Sequence, residues 1–256
     1  MLTLVFSLFL MVVTTLALQF LVGWPLSWCI FLGAVIAFIV QIGIGFWLRR
    51  NMAGVVSNLQ LFMQNSSEEL NRKYTHIASR GKMNRKQLQE AMQKDQAAIF
   101  TQAAEQLQAL EKFFPWSLGL RKQVNSMNLQ FFFQMKQYDK VDQLLPQSSM
   151  SDPVIVCMKM CRHYLLGQDD ELAKTYKKYH RKFKMQSVMI YATYSWMLVR
   201  KNRIDDALKV LVDGKNNTEN KHLAANWEKL ANDRIKQFSN HPFGETWYSL
   251  GLEEAK

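Results

Sequence analysis

The chain begins with a stretch that carries no charge, residues 1–48, MLTLVFSLFLMVVTTLALQFLVGWPLSWCIFLGAVIAFIVQIGIGFWL. No Asp, Glu, Lys, Arg or His occurs before Arg49. A charged side chain near the centre of a bilayer costs about 2.5–3.5 kcal/mol on insertion scales, so a lipid environment selects for such an absence. All 32 Lys and Arg residues and all 21 Asp and Glu residues follow residue 48, giving a formal net charge of +11. The sequence therefore predicts a membrane anchor followed by a basic part outside the bilayer.

The apolar stretch is long enough for two membrane-spanning helices, because one span needs about 20 apolar residues. Gly23-Trp24-Pro25 interrupts the stretch, and the proline forbids a continuous helix there. We predict helices over residues 2–22 and 27–48, joined as a hairpin. A cleaved signal peptide is the alternative for the first helix, but no basic residue precedes the apolar run. The residues expected at the membrane interfaces are Trp24, Trp28, Trp47, Arg49 and Arg50.

The distribution of basic residues predicts the orientation of this hairpin. Lys and Arg stay on the cytoplasmic side of a membrane, so Arg49 and Arg50 place both ends of the hairpin there. Three cysteines, one of them in the second span, suggest no disulfide framework, which fits a reducing compartment. We expect a multi-pass protein of the bacterial inner membrane whose soluble part is cytoplasmic.

Residues 49–112 are predicted to be a helical connector, because this region has no proline and only two glycines. Ser66 with Glu69 indicates one helix N-terminus, and Asn84 with Gln87 indicates a second helix start after Gly81. One apolar stripe then follows at coiled-coil-like spacing, which suggests either a homodimer or packing against the following domain as its first helix. Packing against the following domain is favoured. The stripe consists of Leu88, Met92, Ile99, Ala103, Leu107, Leu110 and Phe114.

From residue 113 to residue 256 the pattern is helix, short turn, helix, repeated about every 34 residues, a period typical of stacked helical hairpins. The second helix of each pair starts with acidic residues, which complement the helix dipole. These starts contain Asp139, Asp170 and Asp205.

At these residues the chain resembles the tetratricopeptide repeat superfamily, over residues 117–237. Asn125 and Asn128 depart from the family pattern, because they are polar where bulk is expected. A two-helix anchor followed by such repeats is also similar in layout to the HemY-like membrane proteins of bacteria. The resemblance implies an all-α fold: a transmembrane hairpin, a helical connector and an α-solenoid of tetratricopeptide-like hairpins. The matching positions are Val141, Leu145, Pro153, Tyr191, Tyr194, Ser195, Leu198, Ala207 and Leu211.

The resemblance also implies a concave groove, lined by the first helix of each pair, that binds peptides or partner helices. Basic side chains near this groove are candidates for partner binding, although each one is also explained as ordinary solvated surface. These candidates are Arg121, Lys122, Lys159, Arg162 and Arg200.

The densest basic run lies further along the chain, where cations interleave with Tyr176, Tyr179 and Phe183. One interpretation is a contact surface for anionic lipid, RNA or an acidic protein. The favoured interpretation is the solvated face of an amphipathic helix, because the aromatic residues have the spacing of a buried face. The cations are Lys174, Lys177, Lys178, Arg181, Lys182 and Lys184.

Motifs of catalysis are missing from the sequence. It has no glycine-rich phosphate loop, no His-Glu-x-x-His and no Gly-x-Ser-x-Gly, and its five histidines are dispersed. Cys157 and Cys161 are expected to be buried apolar residues, since a metal site would need two more ligands. We expect no enzyme, no metal and no cofactor.

The leading functional hypothesis is a membrane-anchored interaction scaffold that exposes a basic tetratricopeptide-like domain to the cytoplasm. The partner is then a protein, with anionic lipid as a further contact. One alternative is a structural subunit of a larger membrane complex that acts through its transmembrane hairpin. A second alternative, with nucleic acid as the less favoured partner, is a membrane-tethered module that binds RNA or ribosomes. The sequence leaves open whether the chain forms a homodimer or is a subunit of a complex.

Overall fold

The computed structural model describes residues 2–80, 84–117 and 119–253, and these residues form helices and turns with no strand. The predicted all-α class is therefore confirmed. Gly81, the predicted break in the connector, lies outside the described residues. The chain forms two compact units, an N-terminal unit of residues 1–128 and a C-terminal unit of residues 129–256.

Two helices of the N-terminal unit are long and apolar enough to cross a membrane. Helix α1 spans Leu2–Val22, as predicted, and helix α2 spans Leu26–Ser79. Gly23 has a φ of +66°, a left-handed conformation that favours glycine, and Pro25 caps the start of α2. The predicted turn between two apolar helices is confirmed.

Helix α2 does not end at residue 48, where the sequence predicted its end. It continues as one helix of 54 residues, which is about 81 Å long. The composition changes from apolar to polar at Arg49, but the residues that follow include no proline to break the helix. The predicted helix start at Ser66 is also wrong, because Ser66 lies inside α2, where no backbone amide is left for a cap.

Helix α1 packs on α2 through small residues of α2 that recur at every fourth position. Cys29, Gly33 and Ala37 are buried there. A Cβ atom on Gly33 would lie 2.5 Å from Thr15 Oγ1 and 3.1 Å from the carbonyl oxygen of Met11. Small residues allow such close approach of helix backbones within a membrane.

Helix α3 spans Arg85–Gln108 and packs along the polar half of α2, residues 49–79. Asn84 and Gln87 form the predicted capping box. The Tyr74 hydroxyl donates a hydrogen bond of 2.9 Å to the Asp95 carboxylate. The connector is thus an antiparallel helical hairpin, and α2 covers the apolar stripe of α3. Neither predicted use of the stripe included this partner. Its buried members are Ala103, Leu107 and Leu110.

The remaining helices are shorter, and α4 (Leu120–Gln134) contains the boundary between the two units. This boundary lies beyond the predicted start of the repeat domain at residue 113. The other helices are α5 (Tyr138–Leu144), α6 (Pro153–Leu165), α7 (Asp169–Tyr179), α8 (Val188–Arg200), α9 (Ile204–Thr218), α10 (Lys221–Ala231) and α11 (Glu245–Tyr248).

Four helix ends in the C-terminal unit share one backbone motif. In each, a left-handed residue follows the helix, and the next amide donates to the carbonyl five residues back, which is the Schellman arrangement. After α4, for example, Lys136 has a φ of +57° and Gln137 N donates to Phe132 O at 2.9 Å. The corresponding left-handed residues after α4, α6, α8 and α10 are Lys136, Gly167, Asn202 and Asp233.

The core of the C-terminal unit centres on α6 and α8. Nine successive residues of α8, 190–198, are buried, so α8 is surrounded on every side. Gly214 of α9 permits close approach, because a Cβ atom there would lie 2.9 Å from the Tyr191 ring. Trp247 of α11 is fully buried as well.

The packing of α1 on α2 yields a prediction with a matched control. Gly33→Leu should destabilise the full chain by about 1–3 kcal/mol, because it overpacks a tight helix contact. Gly43→Leu should have little effect, since a Cβ atom at Gly43 has no neighbour within 4 Å. Thermal unfolding in mild detergent should show a lower midpoint for the first variant alone. Equal midpoints for the two variants would contradict the described packing.

Candidate interaction surfaces

The five groove candidates do not all belong to one unit. Arg121 and Lys122 lie at the start of α4, in the N-terminal unit. Lys159, Arg162 and Arg200 lie on α6 and α8, in the C-terminal unit. Arg121 and Lys122 therefore belong to a different unit from the other three candidates.

Arg162 is used inside the C-terminal unit. Its Nε and Nη2 atoms donate to the two carboxylate oxygens of Asp142 at 2.7 and 2.8 Å. Its guanidinium also lies 4.9 Å from the centre of the Tyr138 ring. The hydrogen bonds that Arg162 donates to Asp142 raise the pKa of Arg162. The side chain is only 14% exposed, so its charge ties α6 to α5 and is not displayed.

Arg200 takes part in a second internal cluster. Its guanidinium lies 4.8 Å from the Trp196 ring and 3.4 Å from the Glu253 carboxylate. Glu253 also accepts hydrogen bonds from Trp196 Nε1 at 2.9 Å and Trp247 Nε1 at 2.8 Å. This carboxylate holds the segment after α11 against α8. Lys159 is the groove candidate of this unit with no carboxylate within 4 Å among the described residues.

The six residues of the basic run all have exposed side chains, but they do not share one helix face. Helix α7 ends at Tyr179, so Lys174, Lys177 and Lys178 are helical. Arg181 and Lys182 follow in a turn, and Lys184 begins a short 3-10 helix. Tyr176 is buried and its ring stacks on Tyr194, with centroids 4.1 Å apart. Tyr179 is buried too, so the predicted burial is confirmed for these two rings, whereas Phe183 follows α7 and is half-buried.

Half of this basic run is already bound within the chain. Arg181 donates to Asp213 at 2.8 Å, Lys182 donates to the Met150 carbonyl at 2.9 Å, and Lys174 donates to Glu171 at 2.7 Å. In the described part of the chain the other three cations have no carboxylate within 4 Å. The free cationic surface is therefore smaller than the sequence indicated. These three are Lys177, Lys178 and Lys184.

Asp213 of α9 is the centre of the densest polar cluster around the basic run. It accepts hydrogen bonds from Arg181, from the Tyr191 hydroxyl at 3.1 Å and from Asn217 Nδ2 at 2.8 Å. His180 Nε2 lies 3.6 Å away. Burial opposes the charge of Asp213, but the hydrogen-bond donors outweigh it and lower its pKa. Every oxygen of this carboxylate is occupied, which fits a structural link among three elements.

The two cysteines of α6 are buried and unpaired, as predicted. Burial raises the pKa of Cys157 to about 12, and it raises the pKa of Cys161 as well. A thiol becomes a nucleophile or metal ligand as the thiolate, which these sites disfavour. No cluster of three or more His, Cys, Asp or Glu side chains that could hold a metal occurs in the described ranges.

The predicted interface residues lie at the two ends of the apolar helices. Trp24 and Trp28 are exposed around the turn, and Trp47 is exposed near the opposite end. Arg49 and Arg50 follow Trp47 on α2 and are exposed. The structure adds a segment that the sequence analysis did not single out.

This segment is the aromatic turn, residues 113–116, of sequence Phe-Phe-Pro-Trp. Leu2 N donates to the Pro115 carbonyl at 3.0 Å, and Thr3 Oγ1 donates to the Trp116 carbonyl at 3.3 Å. The ring of Phe113 packs edge-on against Trp47, with centroids 6.4 Å apart. The sequence feature that could have revealed this aromatic turn is a group of three aromatic residues flanked by cations.

Comparison of the chain with protein-family models, curated proteins and solved structures finds no match.

The Asp213 cluster predicts a pH-dependent stability. Asp213→Asn should lower the free energy of unfolding by about 2 kcal/mol at pH 7, because hydrogen bonds to a charged group are lost. The folded-state pKa of Asp213 is lowered, so its contribution is present above the unfolded pKa of about 3.9 and is lost as the pH falls through the folded value. Denaturation monitored by tryptophan fluorescence should therefore show a difference at pH 7 that shrinks in acid.

The control is Glu228→Gln, which removes an exposed carboxylate near the end of α10. It should leave stability at pH 7 nearly unchanged. An Asp213→Asn variant as stable as this control would show that the cluster does not hold the C-terminal unit together.

The buried thiols predict slow chemical modification. Cys157 and Cys161 should react with a maleimide at pH 7.5 only after denaturation, because they are fully buried and poorly ionised. Mass spectrometry of the native and denatured full chain measures this directly. Rapid labelling of either residue in the native chain would contradict the described core.

Proposed function

We propose that this chain is a membrane-anchored, non-enzymatic scaffold for protein interactions, with its C-terminal unit in the bacterial cytoplasm. Helix α1 and residues 26–48 of α2 are the two spans. Their large apolar side chains point outward, for example Phe20 and Leu21 at 84% exposure and Phe46 at 69%. In water such a surface would be costly, whereas lipid covers it.

The proposed orientation rests on the basic residues that follow the spans. Arg49 and Arg50 are exposed directly after Trp47, at the end of the hairpin where α1 also begins. Positive residues favour the cytoplasmic side. Only the short turn at residues 23–25 would then face the other side of the membrane.

The observation that carries the scaffold proposal is the recurrence of one Schellman turn after α4, α6, α8 and α10. The same turn within the successive helix pairs α4/α5, α6/α7 and α8/α9 supports a stack of tetratricopeptide-like hairpins forming an α-solenoid. Such stacks present extended surfaces that bind other chains. A membrane anchor raises the local concentration of whatever these surfaces bind.

The internal use of polar groups supports a binding role over a catalytic one. The main carboxylate clusters of the C-terminal unit, around Asp142, Asp213 and Glu253, are filled by donors from the same unit. The same internal pairing reduces the support for nucleic-acid binding, since half of the basic run is neutralised or bound.

A co-purification experiment tests the scaffold proposal. The full chain is compared with a variant in which residues 2–48 are replaced by an unrelated two-span hairpin. Both are tagged, extracted in mild detergent and analysed by mass spectrometry. Proteins retained by both forms would bind outside the native spans, as the proposal expects.

Proteins retained only by the native chain would contradict the scaffold proposal. That result would instead support a structural subunit that acts through its transmembrane hairpin. The partner set should also be insensitive to nuclease treatment. Loss of all partners after nuclease would favour the alternative in which the chain binds RNA.

A further inference from the structure

The aromatic turn, residues 113–116, lies at one end of the apolar hairpin. It is tied to the first residues of α1 by the bonds from Leu2 and Thr3, and to α2 by the contact between Phe113 and Trp47. Leu2 begins one apolar helix, and Trp47 lies at the end of the apolar part of the other. The turn is therefore level with the boundary between the apolar and polar parts of the unit.

The side chains of the turn divide into one that anchors it and others that face outward. Phe113 is 7% exposed and packs inside the unit. Trp116 is 38% exposed, Pro115 is exposed and Phe114 is half-buried. Indole rings prefer the headgroup level of a bilayer, where an apolar body and a polar N–H are both accommodated.

Exposed cations flank this turn along the chain, and two more follow Trp47 on α2. Lys112 Nζ lies 5.1 Å from the Phe113 ring, and the Arg121 guanidinium lies 5.5 Å from the Phe114 ring. None of the cations has a carboxylate within 4 Å in the described part of the chain, and Glu111 is the single acid between residues 109 and 122. The set comprises Arg49, Arg50, Lys112, Arg121 and Lys122.

We propose that the aromatic turn and these five cations form a third membrane contact, which binds the headgroups of anionic phospholipids. The proposal rests on the proposed function in one respect, because the hairpin must span a bilayer for the turn to lie at its surface. Trp116 and Phe114 enter the interface, and the cations meet lipid phosphates.

Two features of the site select lipid over an acidic protein or RNA. The turn continues directly from the apolar surface of α1 and α2, so a ligand that touches both must have an apolar and an anionic part. The cations also flank aromatic rings instead of lining a cleft. A phospholipid headgroup with its acyl chains meets both conditions.

The first test measures how close the aromatic turn lies to the lipid headgroups. In the full chain, reconstituted in vesicles, Ser117→Cys places a fluorescent label next to Trp116 without removing it. Gln93→Cys, on an exposed position of α3, is the matched control. Lipids with a nitroxide in the headgroup region should quench the label at residue 117 severalfold more than the label at residue 93. Equal quenching would overturn the proposal.

The second test measures headgroup selectivity. The full chain is reconstituted with equal amounts of phosphatidylcholine and phosphatidylglycerol, and the lipid retained after purification is quantified. The double change Arg121→Glu and Lys122→Glu should lower the retained phosphatidylglycerol about fivefold or more. The control, Arg234→Glu with Lys236→Glu, makes the same charge change at exposed positions elsewhere. This control should retain as much phosphatidylglycerol as the unchanged chain.

Extraction with alkaline carbonate distinguishes failure of the proposed membrane function from failure of the proposed lipid site. A chain that is released by carbonate is not integral, and the proposed membrane function fails together with this inference. A chain that resists carbonate but shows no quenching at residue 117, or no loss of phosphatidylglycerol in the first double variant, overturns the lipid site alone. A loss of co-purifying RNA or protein in place of lipid also overturns it.

Discussion

The N-terminal unit depends on a single constraint, the continuity of helix α2 from Leu26 to Ser79. Its apolar half is long and apolar enough to cross a membrane. A backbone in lipid has to satisfy its own hydrogen bonds, which a continuous helix does. No residue from Arg49 to Ser79 breaks that helix, so its polar part, residues 49–79, is about 46 Å long. The apolar half supports α1 and the polar half supports α3. This arrangement brings the end of α3 and the aromatic turn back to the start of α1.

The C-terminal unit is organised by a different physical rule, the satisfaction of polar groups at helix ends and between helices. Its Schellman turns satisfy carbonyls that a helix end would otherwise leave unpaired. Asp142 and Asp213 then hold neighbouring elements through arginine. Internal bonds also occupy half of the basic run, so what the unit can offer a partner is its shape and a reduced basic surface. That combination underlies the proposed scaffold role.

Several features set by local sequence were predicted correctly, although the helix start at Ser66 was not, whereas pairings between residues distant in the chain were missed. The two apolar helices, their turn at Gly23 and the Asn84 capping box are set by residues close in the chain. The length of α2 was missed because a shift in composition was interpreted as a break in the backbone. The pairing of Arg181 with Asp213 joins residues 32 positions apart, a separation that no local pattern reports.

The proposed hairpin, with both ends of the chain on one side of the membrane, can be tested by measuring the topology of the chain. Epitope tags at the two ends of the full chain are exposed to protease in intact spheroplasts and in inverted inner-membrane vesicles. If both ends of the chain lie in the cytoplasm, both tags are protected in spheroplasts and cleaved in inverted vesicles. Cleavage of either tag in intact spheroplasts would contradict a hairpin with both ends in the cytoplasm.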